Sequence, residues 1–580
     1  MYKIFQNNIK QLNIGDAQGT LDSSFNIDLS YNVGKLSLAP RTRVTTNTLT
    51  DQGTSTNFVY FDGFWWTTSG LYVWKTSNPQ ATFAKDASGG LYISPNDCSD
   101  AVSDLTVFND KLIISTQSRI AGKDANGAGT GGWNIAIDTG LSNNVVRPVT
   151  VYNNRLYWTR LPNTIVSCDT SYAISSTASA SYNITFPSNY VITFIEPHST
   201  GLYIGITTTD GTQGYVVNWN GETKNTPRYS HNIYAQGALA SYIDNTSFYV
   251  MNSNAELLKF NGAGFTKVSR LPTKRNYLYN ANATAGSTGN DRFIHPKGMS
   301  LIDGVLSMLI NGSNNNGTQQ ENLPSGIWEF LEDKNTLYHK YSMSYMPQNG
   351  GVSPTDYGQV YLKSVGGMVE TPDLPSYSNA QRGNFLAGAS FYSNATTVGY
   401  GIFSDNYYDT EQKSGWFTTV QIRASHYQDM WNKIALLFTP KAGMNMVAKY
   451  RTNKLEPVVF TMTWTSTTTF TTTQTGLVDG DEITIVQGKG GGRVAHIVGT
   501  PTFSTPNFTV TLDEVITGVS GTAKAIVQKW KKIGIISNIN NFFQEITINN
   551  PSTLIELKVA IVATGEVTID ELILDNKLNQ

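Results

Sequence analysis

The sequence predicts an all-β chain: a β-propeller of about seven blades, then a jelly-roll-like β-sandwich carrying a small inserted β-barrel-like module. Three observations predict it. First, a strand–turn–strand pattern recurs, clearest in Val149-Thr-Val-Tyr-Asn-Asn-Arg-Leu-Tyr-Trp-Thr159 and at 105–115, with looser copies at 59–66, 239–250 and 299–309. Its turn residues Asp62, Asp110, Asn154, His198 and Asp244 lie 44 to 48 residues apart, and Asp303 follows after 59. A hairpin cannot bury its apolar face alone, so a regular repeat implies copies packed against one another, and an all-strand unit of about 40–50 residues is the length of a propeller blade. Second, an aromatic before a turn recurs between the hairpins, in Tyr215-Val-Val-Asn-Trp-Asn-Gly221 and Leu257-Leu-Lys-Phe-Asn-Gly262, giving each sheet something to stack on the next. Third, the chain is rich in Tyr (30), Phe (25) and Gly (51), with only 14% charged residues, a balance that favours strands and turns over amphipathic helices.

In chain order, residues 1–40 read as a polar N-terminal arm whose alternating 25–30 stretch pairs with the propeller or with a neighbouring subunit. The propeller is expected over 41–375, with an insertion around 277–291 and a polar loop at 311–320. From about 376 the period disappears and alternation becomes cleaner. Residues 376–466 and 529–580 are read as the sandwich, from runs such as 415–423, 433–438, 444–450, 458–464, 554–562 and 567–574. Residues 467–528 hold four or five short strands and are read as the inserted module, with Trp464 and Trp530 flanking its exit and re-entry. A domain inserted in a loop is tolerated when its own ends lie close together.

At 580 residues the chain exceeds one ordinary core. A net charge of −2 and a pI near 6.3 exclude a basic nucleic-acid grip, so no sequence-specific nucleic acid is expected as a partner. A hydrophobic fraction of 39% excludes a disordered chain. The first residues lack the apolar core of a signal peptide, and no apolar run is long enough to span a bilayer as a helix. Synthesis in a cytoplasm without a signal peptide is the expectation. Cys98 and Cys168 fit neither a disulfide framework nor a zinc site, and a single bridge between them stays open.

Three features together resemble a group of tailed-bacteriophage virion proteins, the propeller-bearing tail hub, nozzle and tail-fibre-associated components. They are Ser24-Phe-Asn-Ile-Asp-Leu29 with Asn32-Val-Gly-Lys-Leu-Ser-Leu-Ala-Pro-Arg41, the hairpin repeat, and a C-terminal sandwich entered through Gly415-Trp-Phe-Thr-Thr-Val-Gln-Ile422 and Trp431-Asn-Lys-Ile434. The resemblance implies location in the virion, contact with portal, adaptor, tail or fibre proteins, a homo-oligomeric ring (a hexamer in the sixfold case) and a part in DNA delivery. It carries no catalytic residue and no cofactor.

Chemical motifs are sparse. His198, His231, His295, His339, His426 and His496 form no metal-spaced pair. Gly488-Lys-Gly-Gly-Gly-Arg493 lacks the order of a phosphate loop and precedes a strand, so it reads as a hairpin turn whose Lys489 and Arg493 could touch an anionic polymer. The acidic turns Asp405/Asp409/Glu411, Asp124-Ala-Asn-Gly127 and Asp479-Gly-Asp-Glu482 lack calcium-loop spacing and read as solvated turns. Phe64-Trp-Trp66 with Tyr72 and Trp74 offers a sugar-stacking platform, but alternation puts Trp65 and Trp66 on opposite faces and core packing is favoured. Ser300 has no nucleophile elbow around it.

No catalytic, cofactor or metal residue is therefore assigned, and no enzyme activity is expected. The expected role is a docking scaffold and DNA conduit of a phage tail. The alternatives are a host-surface glycan-binding adhesin, and a propeller glycosidase, which requires two carboxylates converging on the central tunnel.

Overall fold

The computed structural model describes residues 2–6, parts of 21–46, 55–86, 102–124, 132–141, 147–175, 181–272, 293–312, 323–343, 362–371, 385–392, 398–405, 412–423, 429–439, 444–452, 458–536, 543–564 and 567–578, with a few residues inside these stretches left out. Among them every regular element is a strand apart from one 3-10 turn, Glu332–Lys334.

The recurrent hairpins form as the turn residues dictate. Phe61 pairs with Phe64, Phe108 with Lys111, Tyr152 with Arg155 and Ile302 with Val305, so each loop has two residues. Asp62-Gly63, Asn109-Asp110, Asn153-Asn154 and Asp303-Gly304 all have positive φ, the type I′ geometry that matches strand twist. Each hairpin then extends into a four-stranded antiparallel sheet. The first sheet orders Phe58–Phe61, Phe64–Ser69, Tyr72–Thr76 and Ala84–Lys85, and the second orders Val102–Phe108, Lys111–Thr116, Ile120–Asp124 and Ile135–Asp138. Four more follow along the chain, opening with Val149–Tyr152, Tyr190–His198, Ala238–Ile243 and Ile294–Ile302. The seventh is assembled differently: Leu362–Glu370, Phe385–Tyr392 and Val398–Asp405 are completed by Thr42–Thr46, from the other end of the chain.

The predicted fold class is corrected by this topology. The chain is not the closed propeller of about seven blades followed by a jelly-roll sandwich that the repeat suggested. Among the described residues it holds seven separate four-stranded antiparallel sheets, two six-stranded sheets and one seven-stranded, partly curled half-barrel. Ladder pairing stops at the margin of each sheet, and neighbouring sheets meet mainly through side chains, with a few backbone bonds such as the Val102 amide to the Gly70 carbonyl and the Ile192 amide to the Pro162 carbonyl. Trp66, Val73, Leu105, Leu112 and Trp133 fill the space between the first and second sheets, and Phe108, Ile113, Leu156 and Trp158 that between the second and third. Phe58, Trp65, Trp74 and Phe83 pack on Leu386 and Ile402 of the seventh. A local period reports which strands are neighbours along the chain. It does not report which distant strand completes a sheet, or how the large sheets are ordered.

The six-stranded sheets show the same limit. One runs Ile27–Asp28, Leu36–Leu38, Thr568–Leu578, Asp429–Phe438 and Phe543–Asn550, with Tyr2–Gln6 also on Thr568–Leu578. The other runs Leu21–Phe25, Gln412–Thr419, Leu554–Thr564, Asn445–Arg451 and Lys531–Ile536, with Ile422–Arg423 on Leu554–Thr564. The N-terminal strands thus pair with the C-terminal third of the same chain. Both sheets share a core of Ile27, Leu36, Phe417, Trp431, Ile434, Leu557 and Leu572, which also takes in Tyr338 from the sixth four-stranded sheet.

The half-barrel orders Val494–His496, Glu482–Gln487, Thr522–Gln528, Val458–Trp464, Thr469–Thr472, Asn507–Thr511 and Thr502–Ser504. Val458–Trp464, read from the sequence as a sandwich strand, belongs here, and Trp464 lies in this core beside Phe470 and Leu477. The edge strands Val494–His496 and Thr502–Ser504 do not pair. The curl is drawn together at one end by a bridge between Ile497 and Leu512.

Some glycines are forced by close approach. A Cβ on Gly366 would stand 1.8 Å from the Ser55 carbonyl oxygen, and one on Gly388 would stand 2.4 Å from the Ser55 Cβ. Gly366→Ala should therefore lower the urea-unfolding free energy by about 1–3 kcal/mol, the usual cost of overpacking. An unchanged midpoint would show that the seventh sheet does not press on residue 55 in this way.

Candidate functional site

The first strands of successive sheets touch one another, so polar side chains on them meet. Five of these strands carry a register shift: between Val102 and Asp104, Ile192 and Phe194, Ala238 and Ala240, Ile294 and Met299, and Val365 and Met368. Bulges re-aim side chains and commonly occur beside functional groups. Here they accompany the charged side chains of Asp104, Glu196 and Lys297.

Asp104 is buried, and both its carboxylate oxygens are engaged. Oδ1 accepts from Asn57 Nδ2 at 2.9 Å and from the Leu105 amide at 2.8 Å; Oδ2 accepts from the Val149 amide at 3.1 Å. These bonds tie the first three sheets. Glu196 Oε1 accepts from Ser241 Oγ at 3.1 Å and from Lys297 Nζ at 2.9 Å, tying the fourth, fifth and sixth. The Lys297 amide donates to His295 Nδ1 at 3.1 Å, and the Gly367 amide to the Ser55 carbonyl at 2.9 Å.

Burial pushes the Asp104 carboxyl above its usual range, against the pull of Lys297 and of the three donors. For Lys297, burial acts to lower its pKa, but the charges of Glu196 and Asp104 outweigh it and hold the ammonium above its ordinary value. The hydroxyls of Ser55, Ser103 and Thr193 are buried and make no hydrogen bond among the described residues. Chemically, the cluster holds charge in fixed positions. The carboxylate pair that a glycosidase needs must offer an oxygen free to take or give a proton, whereas backbone and amide donors occupy both oxygens of Asp104.

A second charged cluster joins the half-barrel to a six-stranded sheet. Buried Glu482 takes a hydrogen bond from Lys449 and another from Lys558 at 2.7 Å. Arg451 grips Glu556 with both Nε and Nη2, at 2.9 and 2.8 Å, and lies 4.2 Å above the Trp530 ring. Lys558 sits 4.7 Å over Trp416. His496 Nδ1 is 3.0 Å from Asp513, and its Nε2 is 3.9 Å from Glu482.

The remaining sequence candidates are dispersed. His198 bonds Thr200, and His231 is half-buried, its pKa lowered by burial. His339 is fully buried beside Trp328, and burial lowers it to about 4. His426 lies outside the described residues, as do Cys98, Asp409, Glu411 and the loop at 277–291. Cys168 is a buried free thiol, pushed by burial up to about 12. Asp124 pairs with Lys111 at 2.7 Å, and Asp481 with Lys529 at 2.6 Å. Asp479 accepts from the Gly499 amide at 2.7 Å. Lys489 Nζ donates to Ser520 Oγ across the glycine turn, at 3.1 Å.

Ser300 Oγ donates to the Leu301 carbonyl and accepts from the Glu370 amide. Trp65 and Trp66 face opposite ways as alternation requires, and both are buried, one toward the seventh sheet and one toward the second. Tyr72, half-buried, packs on the same core as Trp65 and Trp74. Among the described residues no three His, Cys, Asp or Glu side chains gather as a metal site. Asp104, Glu196 and Lys297 carry no motif. Their sequence signal is a single Asp, Glu or Lys in a first strand that holds no other.

No protein-family model and no curated protein matches the chain. Among solved structures it is similar to the computationally designed Ika8 protein, at 9% identity and a TM-score of 0.34, over 63% of this chain and 100% of that one. It is also similar to the WD40 β-propeller domain of Doa1, at 8% identity and a TM-score of 0.37, over 63% and 97%. Raptor of Chaetomium thermophilum matches at 9% identity and a TM-score of 0.36, over 63% and 29%. Likenesses this low assign neither fold nor function. None of these is a phage component, so they lend no support to the expected place in a virion tail or nozzle or to a part in DNA ejection or host attachment, and the propeller and jelly roll expected from the sequence give way to separate small sheets and a half-barrel.

Proposed function

We propose that the chain is a non-catalytic structural component of a tailed-phage particle, a rigid scaffold on which other virion proteins dock. The observation that carries this reading is the way its N-terminal segment is threaded. Residues 2–46 contribute strands to both six-stranded sheets and to the seventh four-stranded sheet. Two of the segments that carry the phage resemblance also meet: Phe25 pairs with Trp416 and Ser24 with Phe417. A chain whose two ends are locked into one another transmits force between distant surfaces without a hinge, and rigidity of this kind suits a part that joins unlike partners. Such a part closes into a homo-oligomeric ring, because head-to-tail contacts around a tail axis must close. Native mass spectrometry of the purified chain at micromolar concentration tests this: a closed ring is expected, and a monomer at that concentration overturns the ring.

A further inference from the structure

The outer face of the half-barrel carries a lattice of threonines. Reading across five hydrogen-bonded strands, Thr522 pairs with Thr463, Thr463 with Thr471, Thr471 with Thr509 and Thr509 with Thr502. A second row lies beside the first: Thr465 Oγ1 is 2.8 Å from Thr469 Oγ1, and Thr469 pairs with Thr511. All eight side chains are exposed or half-buried. The intervening residues Met462, Phe470, Val510 and Ala523 point the other way, into the core. Strand geometry therefore sets hydroxyls about 4.8 Å apart along a row and about 6.8 Å between rows.

Ordinary sheet propensity explains threonine at any one of these positions, but it does not explain the absence of charge. Exposed strands of the six-stranded sheets in the same chain carry Lys531, Lys532 and the Lys433–Glu545 pair. Charge on exposed strands is also the usual protection against edge-to-edge association. The charges that border the threonine face are Lys524, opposite Thr461, and Asp513, two residues beyond Thr511 and bonded to His496; none lies within the two rows.

We propose that this face binds a neutral polysaccharide. Each threonine offers a hydroxyl, which both donates and accepts, beside a methyl group. A pyranose chain presents the same alternation of hydroxyls and C–H groups. A linear polymer lying across the strands meets one hydroxyl per strand, at a spacing comparable with the length of one sugar ring. The β-branched side chains are stiff at χ1, so little rotamer freedom is lost on binding. Nucleic acid and acidic polymers find no basic field here. This inference does not rest on the scaffold reading and stands or falls separately from it.

The test is affinity electrophoresis of the full chain through gels containing dextran, yeast mannan, galactomannan or mixed-linkage β-glucan. At least one polymer should retard the wild type. Thr463→Val with Thr471→Val and Thr509→Val, which keeps shape and removes hydroxyls, should weaken that retardation at least about tenfold, with the urea midpoint unchanged. Thr509→Lys alone, placing a charge in the row, should do the same if the triple variant fails to fold. Three results overturn the proposal: no retardation by any of the four polymers, equal retardation of both variants, or self-association of the wild type that these substitutions abolish.

Discussion

Replacing Glu482 with leucine should destabilise the chain by about 3–5 kcal/mol, because two ammonium groups are then left buried without their carboxylate. Lys449 and Lys558 have side chains only 2% and 3% exposed, and Glu482 is fully buried between them. Burial alone would raise the Glu482 carboxyl, but the charges and hydrogen bonds of both lysines override it and hold it down at about 2. A depressed folded pKa gives stability that is present above the ordinary glutamate value and lost as pH falls toward the folded value. The Glu482 contribution should therefore disappear between about pH 4.5 and pH 2, and Glu482→Gln should flatten that part of the stability profile. Replacing all three residues, with Lys449→Met and Lys558→Met added to Glu482→Leu, should recover much of the loss, since a well-packed apolar set often equals a buried ion cluster. Urea unfolding of the four proteins at pH 7 and pH 3 checks both statements. A leucine variant as stable as the wild type at pH 7 would mean that the half-barrel is not anchored through this carboxylate.

Glu482 also shows where the sequence stops being legible. Asp479-Gly-Asp-Glu482 reads as a solvated acidic turn, and for Asp479 and Asp481 the bonds to the Gly499 amide and to Lys529 are compatible with that. Glu482 is turned inward because it begins a strand, Glu482–Gln487, whose neighbour across the domain junction supplies two lysines from residues 449 and 558. Nothing within ten residues of it announces those partners. The hairpins were legible for the opposite reason. Asp-Gly and Asn-Asn turns fix their own φ angles, and period-two alternation correctly sent Trp65 and Trp66 to different cores. The assembly was not legible: Thr42–Thr46 completes a sheet with Val398–Asp405, and Leu21–Phe25 pairs with Gln412–Thr419. Loop closure of that length leaves no periodic trace. The repeat therefore led to a closed propeller and a jelly roll where the chain builds separate four-stranded sheets, two six-stranded sheets and a half-barrel.

Asp104→Ala should cost about 3 kcal/mol, because it removes one acceptor group and orphans three donors at once. Those donors are the Asn57 amide and the backbone amides of Leu105 and Val149, belonging to three successive sheets. The pH dependence should run opposite to that of Glu482. Burial raises the Asp104 carboxyl despite Lys297 and the three donors, so the folded state prefers its neutral form. Its contribution is then most favourable at low pH and declines as pH rises through the ordinary aspartate value toward the raised one. Asp104→Asn keeps one acceptor and never ionises, so it should lose less than alanine and remove this decline. A double-mutant cycle with Asn57→Ala separates the side-chain bond from the rest: a coupling of about 0.5–3 kcal/mol is expected for residues in direct contact. Additive losses in that cycle, or an alanine variant with the wild-type urea midpoint, would show that the first strands are held together by apolar packing alone, and that the buried carboxylate is not what ties the first three sheets to one another.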